Sequence, residues 1–199
     1  DTADTVSQKI KEGFKDNPAQ VLRIEKVGPV AGKELQQKAI LALSLSLLGI
    51  LIYVAFRFKH FNFAIAGIIA LFHDILVTVG VLALTNRQID LLIVTALLTI
   101  AGYSINDTIV IYDRVRENLR LRHKLNLAEV INLSVNQTLS RTLLTSGVTL
   151  FVVIAMFFWG GGVLHNFAFS LLVGFISGVY STVFIASPLV LAWARKNKQ

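Results

Sequence analysis

Five apolar runs, each long enough to cross a bilayer, fill most of the chain after residue 38: Ala39–Phe56, Phe63–Leu84, Leu91–Ile111, Leu143–Trp159 and Phe167–Val190. A helix rising about 1.5 Å per residue needs about 20 apolar residues to span the hydrocarbon core. Only two charged residues, Asp74 and Asp107, interrupt these runs. Core helices of soluble proteins are shorter and keep a polar face, so an all-α polytopic membrane protein with five transmembrane helices is expected. Composition agrees. The chain is 54% hydrophobic and 16% charged, against about 45–50% and about 25% in ordinary soluble domains. The absence of cysteine excludes disulfides, thiolate metal sites and cysteine nucleophiles together.

The net charge of +7 would suggest nucleic acid in a soluble protein, but here its placement matters more. Arg57 and Lys59 follow the first span. Arg114, Arg116, Arg120, Arg122, Lys124 and Arg141 lie between the third and fourth, and Arg195, Lys196 and Lys198 follow the fifth. The opposite short loops hold only Arg87. The positive-inside rule then puts these basic segments and the C-terminus in the cytoplasm and residues 1–38 outside. The charge is a topology signal, and no nucleic-acid partner is expected.

Two segments are not spans. Residues 1–38 mix seven Lys/Arg with six Asp/Glu, and Val21–Val27 alternates like a short strand. Too small for a core of its own, this piece is expected to be the end of a truncated periplasmic α/β domain. Residues 113–141 form a basic amphipathic connection, expected as two helices broken near Lys124–Asn126. Asn126 and Glu129 have capping-box spacing. Leu127, Ile131, Val135 and Leu139 make one apolar stripe, suited to the membrane interface or to the bundle.

An ionisable group inside a span costs about 2.5–3.5 kcal/mol on insertion scales, so it is a functional candidate by default. Asp74 sits mid-span on a stripe with Ala66, Ala70 and Thr78 that must face other helices. A hydrogen-bonded structural carboxyl and a proton-handling one both fit it. His73 points elsewhere and suits a structural hydrogen bond. Thr95, Thr99, Tyr103, Asn106 and Asp107 fall within about a third of one helix circumference. Asp107 lies six residues inside the charged exit at Asp113, about 9 Å deep. At that depth it must pair, accept hydrogen bonds or hold a proton, and the polar face beside it suggests a path for water or ions.

Arg141 opens the fourth span among Thr142, Thr145, Ser146 and Thr149. It suits a lipid-phosphate anchor or a counter-charge for Asp107 equally. In the fifth span Ser170, Gly174, Gly178, Thr182 and Ala186 form a four-residue small seam, expected to be a helix-packing face within the bundle or between subunits. Gly160–Gly162 lacks the lysine of a phosphate loop and reads as a turn. His60, His123 and His165 are scattered, so no metal site is expected. No nucleophile–base pair suggests an enzyme.

The block Gly102-Tyr103-Ser104-Ile105-Asn106-Asp107-Thr108-Ile109-Val110, with Asp113-Arg114-Val115-Arg116-Glu117 behind it, closely resembles the SecF signature of the SecD/SecF protein-export family, within the resistance-nodulation-division superfamily. Val27-Gly28-Pro29, Ala70–Asp74 and Gln137-Thr138-Leu139-Ser140-Arg141-Thr142 also match. The resemblance implies a bundle of that superfamily's type, in which a first helix and a periplasmic domain precede these five spans. It implies a subunit that works with SecD beside the SecYEG channel, with YajC as a candidate associate. Its role there is to draw unfolded preprotein across the inner membrane with the proton-motive force. Protons are the coupling ion and no cofactor is implied. Asp107 would be the proton-binding carboxylate and Arg141 its regulating partner, with Asp74 assigned less firmly. A proton-coupled small-molecule exporter, or a purely structural membrane subunit, would share the apolar pattern.

Overall fold

The computed structural model describes residues 2–13, 29–58 and 61–196. The chain divides into two compact units, residues 1–38 and 39–199. In the first, α1 runs Thr2–Gly13, and the exposed Lys38 ammonium lies 2.7 Å from Glu34. The expected strand at Val21–Val27 falls outside the described residues.

The second unit is a bundle of long helices. Five helices are long and apolar enough to cross a membrane, and they are longer than the apolar runs that announce them. The helix carrying the first span, α2, runs Pro29–Phe58, with proline at its first position, where a missing N–H costs nothing. It meets the bundle through Val54 and Phe58, both buried, while Leu45, Leu48, Ile52 and Phe56 stay exposed. Next, α3 runs Phe61–Leu84. Asn86 follows it in the left-handed region at φ 51, with Arg87 N–H donating to Leu82 O at 2.9 Å and Asn86 N–H to Ala83 O at 3.1 Å. That is a Schellman closure with asparagine where glycine is commoner. Asp90 then caps α4, accepting from Ile93 N–H at 2.9 Å.

The basic connection is not a separate pair of surface helices. α4 continues to Leu121 and α5 begins at Leu127, so both spans project beyond the apolar zone and break only at 122–126. The capping box is present: Asn126 accepts from Glu129 N–H at 3.0 Å and Glu129 from Asn126 N–H at 2.8 Å. The first three residues of the stripe pack inward, with Ile131 buried and Leu127 and Val135 against the core, while Leu139 lies at the surface beside Leu143.

Gly160 and Gly161 turn α5, which ends at Trp159, into α6, Gly161–Ser181; the turn needs the φ of +74° at Gly161. The fifth span then widens into a π-turn at Thr182–Ala186 before α7, Ser187–Lys196. Pro188 explains the widening. It has no N–H for the carbonyl one turn back, and its ring crowds that carbonyl. Ser187 Oγ donates to Thr182 O at 3.1 Å across the wide turn.

Candidate functional site

The bundle holds two buried carboxyls, and α4 serves both. Asp74 on α3 is wholly buried. Ser104 from α4 and Ser181 from α6 donate to its Oδ2, and Ser177 from α6 to its Oδ1, each at 2.7 Å. His73 Nδ1 lies 3.3 Å from Oδ1, with its ring 6.3 Å from Tyr180. Three hydroxyl donors therefore converge on the two oxygens of one carboxyl, with an imidazole nitrogen beside them. The Thr78 hydroxyl completes the turn by donating to Asp74 O at 2.8 Å.

The seam of α6 explains how three helices come this close. Gly174 is buried, and a Cβ there would overlap the Ile100 side chain. A Cβ on Gly178 would stand 3.1 Å from Ser104 Cβ, inside ordinary contact distance. Ser170, wholly buried, donates back to Asn166 O at 2.8 Å. Thr182 shares a 3.0 Å hydrogen bond with Thr108. The seam therefore packs against α4 of its own bundle. Ser104, Ser177 and Ser181 were not singled out in the sequence; the available signal was that they stand next to Tyr103, Gly178 and Thr182 respectively.

Asp107 is set differently. It is 5% exposed and accepts from Ser146 Oγ on α5 at 3.2 Å. The polar face of the third span divides. Tyr103 turns with Asp107 toward α5, sharing a 2.9 Å hydrogen bond with Thr149 and packing 4.4 Å from the Phe175 ring. Thr99 and Asn106 are exposed on the outside of the bundle, and the Thr99 hydroxyl donates to Thr95 O at 2.9 Å. Arg141 is also exposed, and among the described residues no ion pair within 4.0 Å joins it to Asp107.

A model of the C-terminal region of the protein-export membrane proteins SecD and SecF matches residues 6–196. The chain belongs to the SecD/SecF C-terminal family. The protein translocase subunit SecF of Calditerrivibrio nitroreducens is 47% identical over 188 residues, covering 94% of this chain and 62% of that protein. That of Endomicrobium trichonymphae is 41% identical over 194 residues, covering 98% and 63%. The chain thus spans about three-fifths of the length of these relatives. The crystal structure of SecDF from Thermus thermophilus, a translocon-associated membrane protein, superposes with a TM-score of 0.86 at 44% identity, covering 94% of this chain and 26% of that one. A super-membrane-facing form of SecDF gives 0.82 at 40% identity, covering 98% and 27%. This is a multi-pass protein of the bacterial inner membrane.

The family signature does two jobs in the structure. Its first half supplies Tyr103, Ser104, Asp107 and Thr108 to the bundle interior. Its second half ties the basic end together. Asp113 takes Arg57 at 2.8 Å, and Arg114 reaches Glu117 at 2.6 Å and Gln137 at 2.7 Å. The buried Asn118 donates to Ser134 and Gln137, both at 2.9 Å.

Proposed function

We propose that the chain is the membrane part of a SecF-type subunit of a SecD–SecF complex that uses the proton-motive force to assist preprotein translocation. It acts as a transport component rather than an enzyme, with protons as coupling ion and no cofactor. Asp107 carries the proton, Arg141 regulates it, and Asp74 is the second acid of the same bundle. Tyr103 lines the water-bearing side toward α5, with Asn106 and Thr99 on the outer face of the same helix. The basic end is cytoplasmic and the Arg87 and Gly160–Gly162 loops are periplasmic. Partners are SecD, the SecYEG channel, unfolded preprotein and surrounding lipid, with YajC as a candidate associate.

The supporting observation is the environment of Asp107. Among the described residues its one hydrogen-bond partner is a serine hydroxyl, which donates to a carboxylate and accepts from a carboxylic acid equally well. Both protonation states therefore find a partner without rebuilding the site. Cycling between them changes the charge inside the bilayer by one unit, and a unit charge moved through the membrane potential is worth about 2.3 kcal/mol per 100 mV. That is enough to bias a two-state equilibrium by tens of fold. Thr99 and Asn106, polar and uncovered in this chain, call for a proteinaceous neighbour inside a membrane, the place of SecD.

Asp107→Asn keeps the volume and cannot titrate. In membrane vesicles with an imposed proton gradient it should assemble normally and lose the gradient-dependent stimulation of export, while Asp107→Glu keeps part of it. Full stimulation by Asp107→Asn would remove the proton-carrying role.

A further inference from the structure

The stripe Ser134, Thr138, Thr142, Ser146 runs along α5 at four-residue spacing, and all four side chains are buried. Three of the four hydroxyls are occupied. Ser134 donates to Val130 O at 2.7 Å and accepts from Asn118; Thr138 donates to Ser134 O at 2.9 Å; Ser146 donates to Asp107. Thr142 is 1% exposed, and its Oγ1 has no hydrogen-bond partner among the described residues. Buried hydroxyls are partnered as a rule, and threonines in helices commonly bond the carbonyl one turn back. Thr145 and Thr149 on the same helix do so, at 2.9 and 3.0 Å. Thr142 does not.

Its place on the stripe gives a reason. Ser146 meets Asp107 and Thr149 meets Tyr103 across the antiparallel α4–α5 contact. One turn the other way, Thr142 falls beside the level of Ile111, which is apolar and buried. The geometry points to Thr142 as a second hydrogen-bond station for the Asp107 carboxyl, taken up when α4 and α5 change register during transport. This rests on Asp107 as the proton carrier. The stations lie about 6 Å apart along the helix, the length of the one-turn ratchets by which packed helices switch. The displacement that brings Thr142 to Asp107 also carries Arg141, its chain neighbour, toward the same level. One movement would thus exchange the hydroxyl partner and bring up the guanidinium.

The experiment uses the complete SecD–SecF complex in vesicles with an imposed proton gradient, comparing Thr142→Val, Thr142→Ser and, as a control, Thr138→Val. Valine keeps the shape and removes the hydroxyl. Because that hydroxyl is unpartnered here, Thr142→Val should match or exceed the parent in thermal stability. It should nevertheless lower stimulation at least fivefold, and a larger gradient should be needed for half-maximal effect. Thr142→Ser should restore at least half, and Thr138→Val should retain parental stimulation. Parental stimulation by Thr142→Val, with Asp107→Asn inactive, overturns the second station alone. Full activity of Asp107→Asn overturns the proton-carrier reading beneath it. A fall in thermal stability of Thr142→Val shows a hydroxyl already partnered and also overturns the proposal.

Discussion

Replacing Asp74 by alanine tests how far one carboxylate holds three helices together. The substitution withdraws the acceptor from Ser104, Ser177 and Ser181. A buried donor left without a partner costs about 1–3 kcal/mol. Each serine sits on a helix and can turn to a carbonyl of the preceding turn, as Ser170 does at 2.8 Å, so the lower end applies to each. The total is about 3 kcal/mol from the lost hydrogen bonds. At about 2–4 °C per kcal/mol for a domain of this size, Asp74→Ala should unfold about 6–12 °C below the parent.

Asparagine should cost less. With its amide at the Oδ1 position it keeps an acceptor for Ser104 and Ser181, and only the Ser177 hydroxyl must turn to accept. That is about one hydrogen bond, about 1 kcal/mol and a fall of about 2–4 °C. Ser177→Ala removes the same bond from the other side and should match it. Thermal unfolding of the purified complex in nanodiscs, followed by loss of the monodisperse peak, orders the four proteins. Asp74→Ala melting within a degree of the parent would refute the clasp. So would Asp74→Asn melting below Asp74→Ala.

Two further outcomes follow from the same geometry. Gly174→Leu puts a branched side chain where Ile100 already lies, so it should lower thermal stability by several kilocalories per mole, about the cost of severe overpacking, while leaving membrane insertion intact; unchanged melting and activity would place the seam elsewhere. In this cysteine-free chain, a cysteine at Lys124 should resist an impermeant thiol reagent in intact cells and react after the membrane is opened. Labelling in intact cells would invert the proposed topology.

The number, order and class of the spans were legible because twenty apolar residues in a row leave few alternatives. So were the Asn126–Glu129 box and the glycine turn after Trp159, where local chemistry decides the backbone. What was not legible depended on which helices touch. The face count on α4 grouped Thr99 and Asn106 with Tyr103 and Asp107, because periodicity gives angle but not neighbours. The bundle draws its boundary through that group, leaving Thr95, Thr99 and Asn106 outside and turning Tyr103 and Asp107 toward α5. The three serines around Asp74 come from positions 104, 177 and 181, and no local spacing relates them to residue 74. The π-turn had a local cause in Pro188, yet a proline in a membrane helix ends it, kinks it or widens it according to its surroundings.

The contrast between the two carboxyls bears on where this bundle can move. Ser104 and Asp107 are three residues apart on α4, which sets them about 60° apart around the axis, one toward α3 and α6 and the other toward α5. On the first side α4 is held by the Asp74 clasp, the Thr108–Thr182 bond and the Gly174 and Gly178 contacts. All are short, buried and dependent on close backbone approach. On the second side, within the membrane zone, it is held by one 3.2 Å hydrogen bond and one tyrosine–threonine bond, beside a threonine hydroxyl with no hydrogen-bond partner among the described residues. Opening the first interface strands several buried donors at once, whereas sliding along the second exchanges one hydroxyl for another at Asp107 and releases the Tyr103–Thr149 bond there and the Asn118 bonds to Ser134 and Gln137 at the basic end. Within the membrane zone the second side holds fewer buried hydrogen bonds than the first, and the shift proposed above along it would carry Arg141 toward the level of Asp107. A carboxyl locked among donors anchors α4. The carboxyl with one adaptable partner lies on the surface along which the proposed shift of α4 against α5 would run.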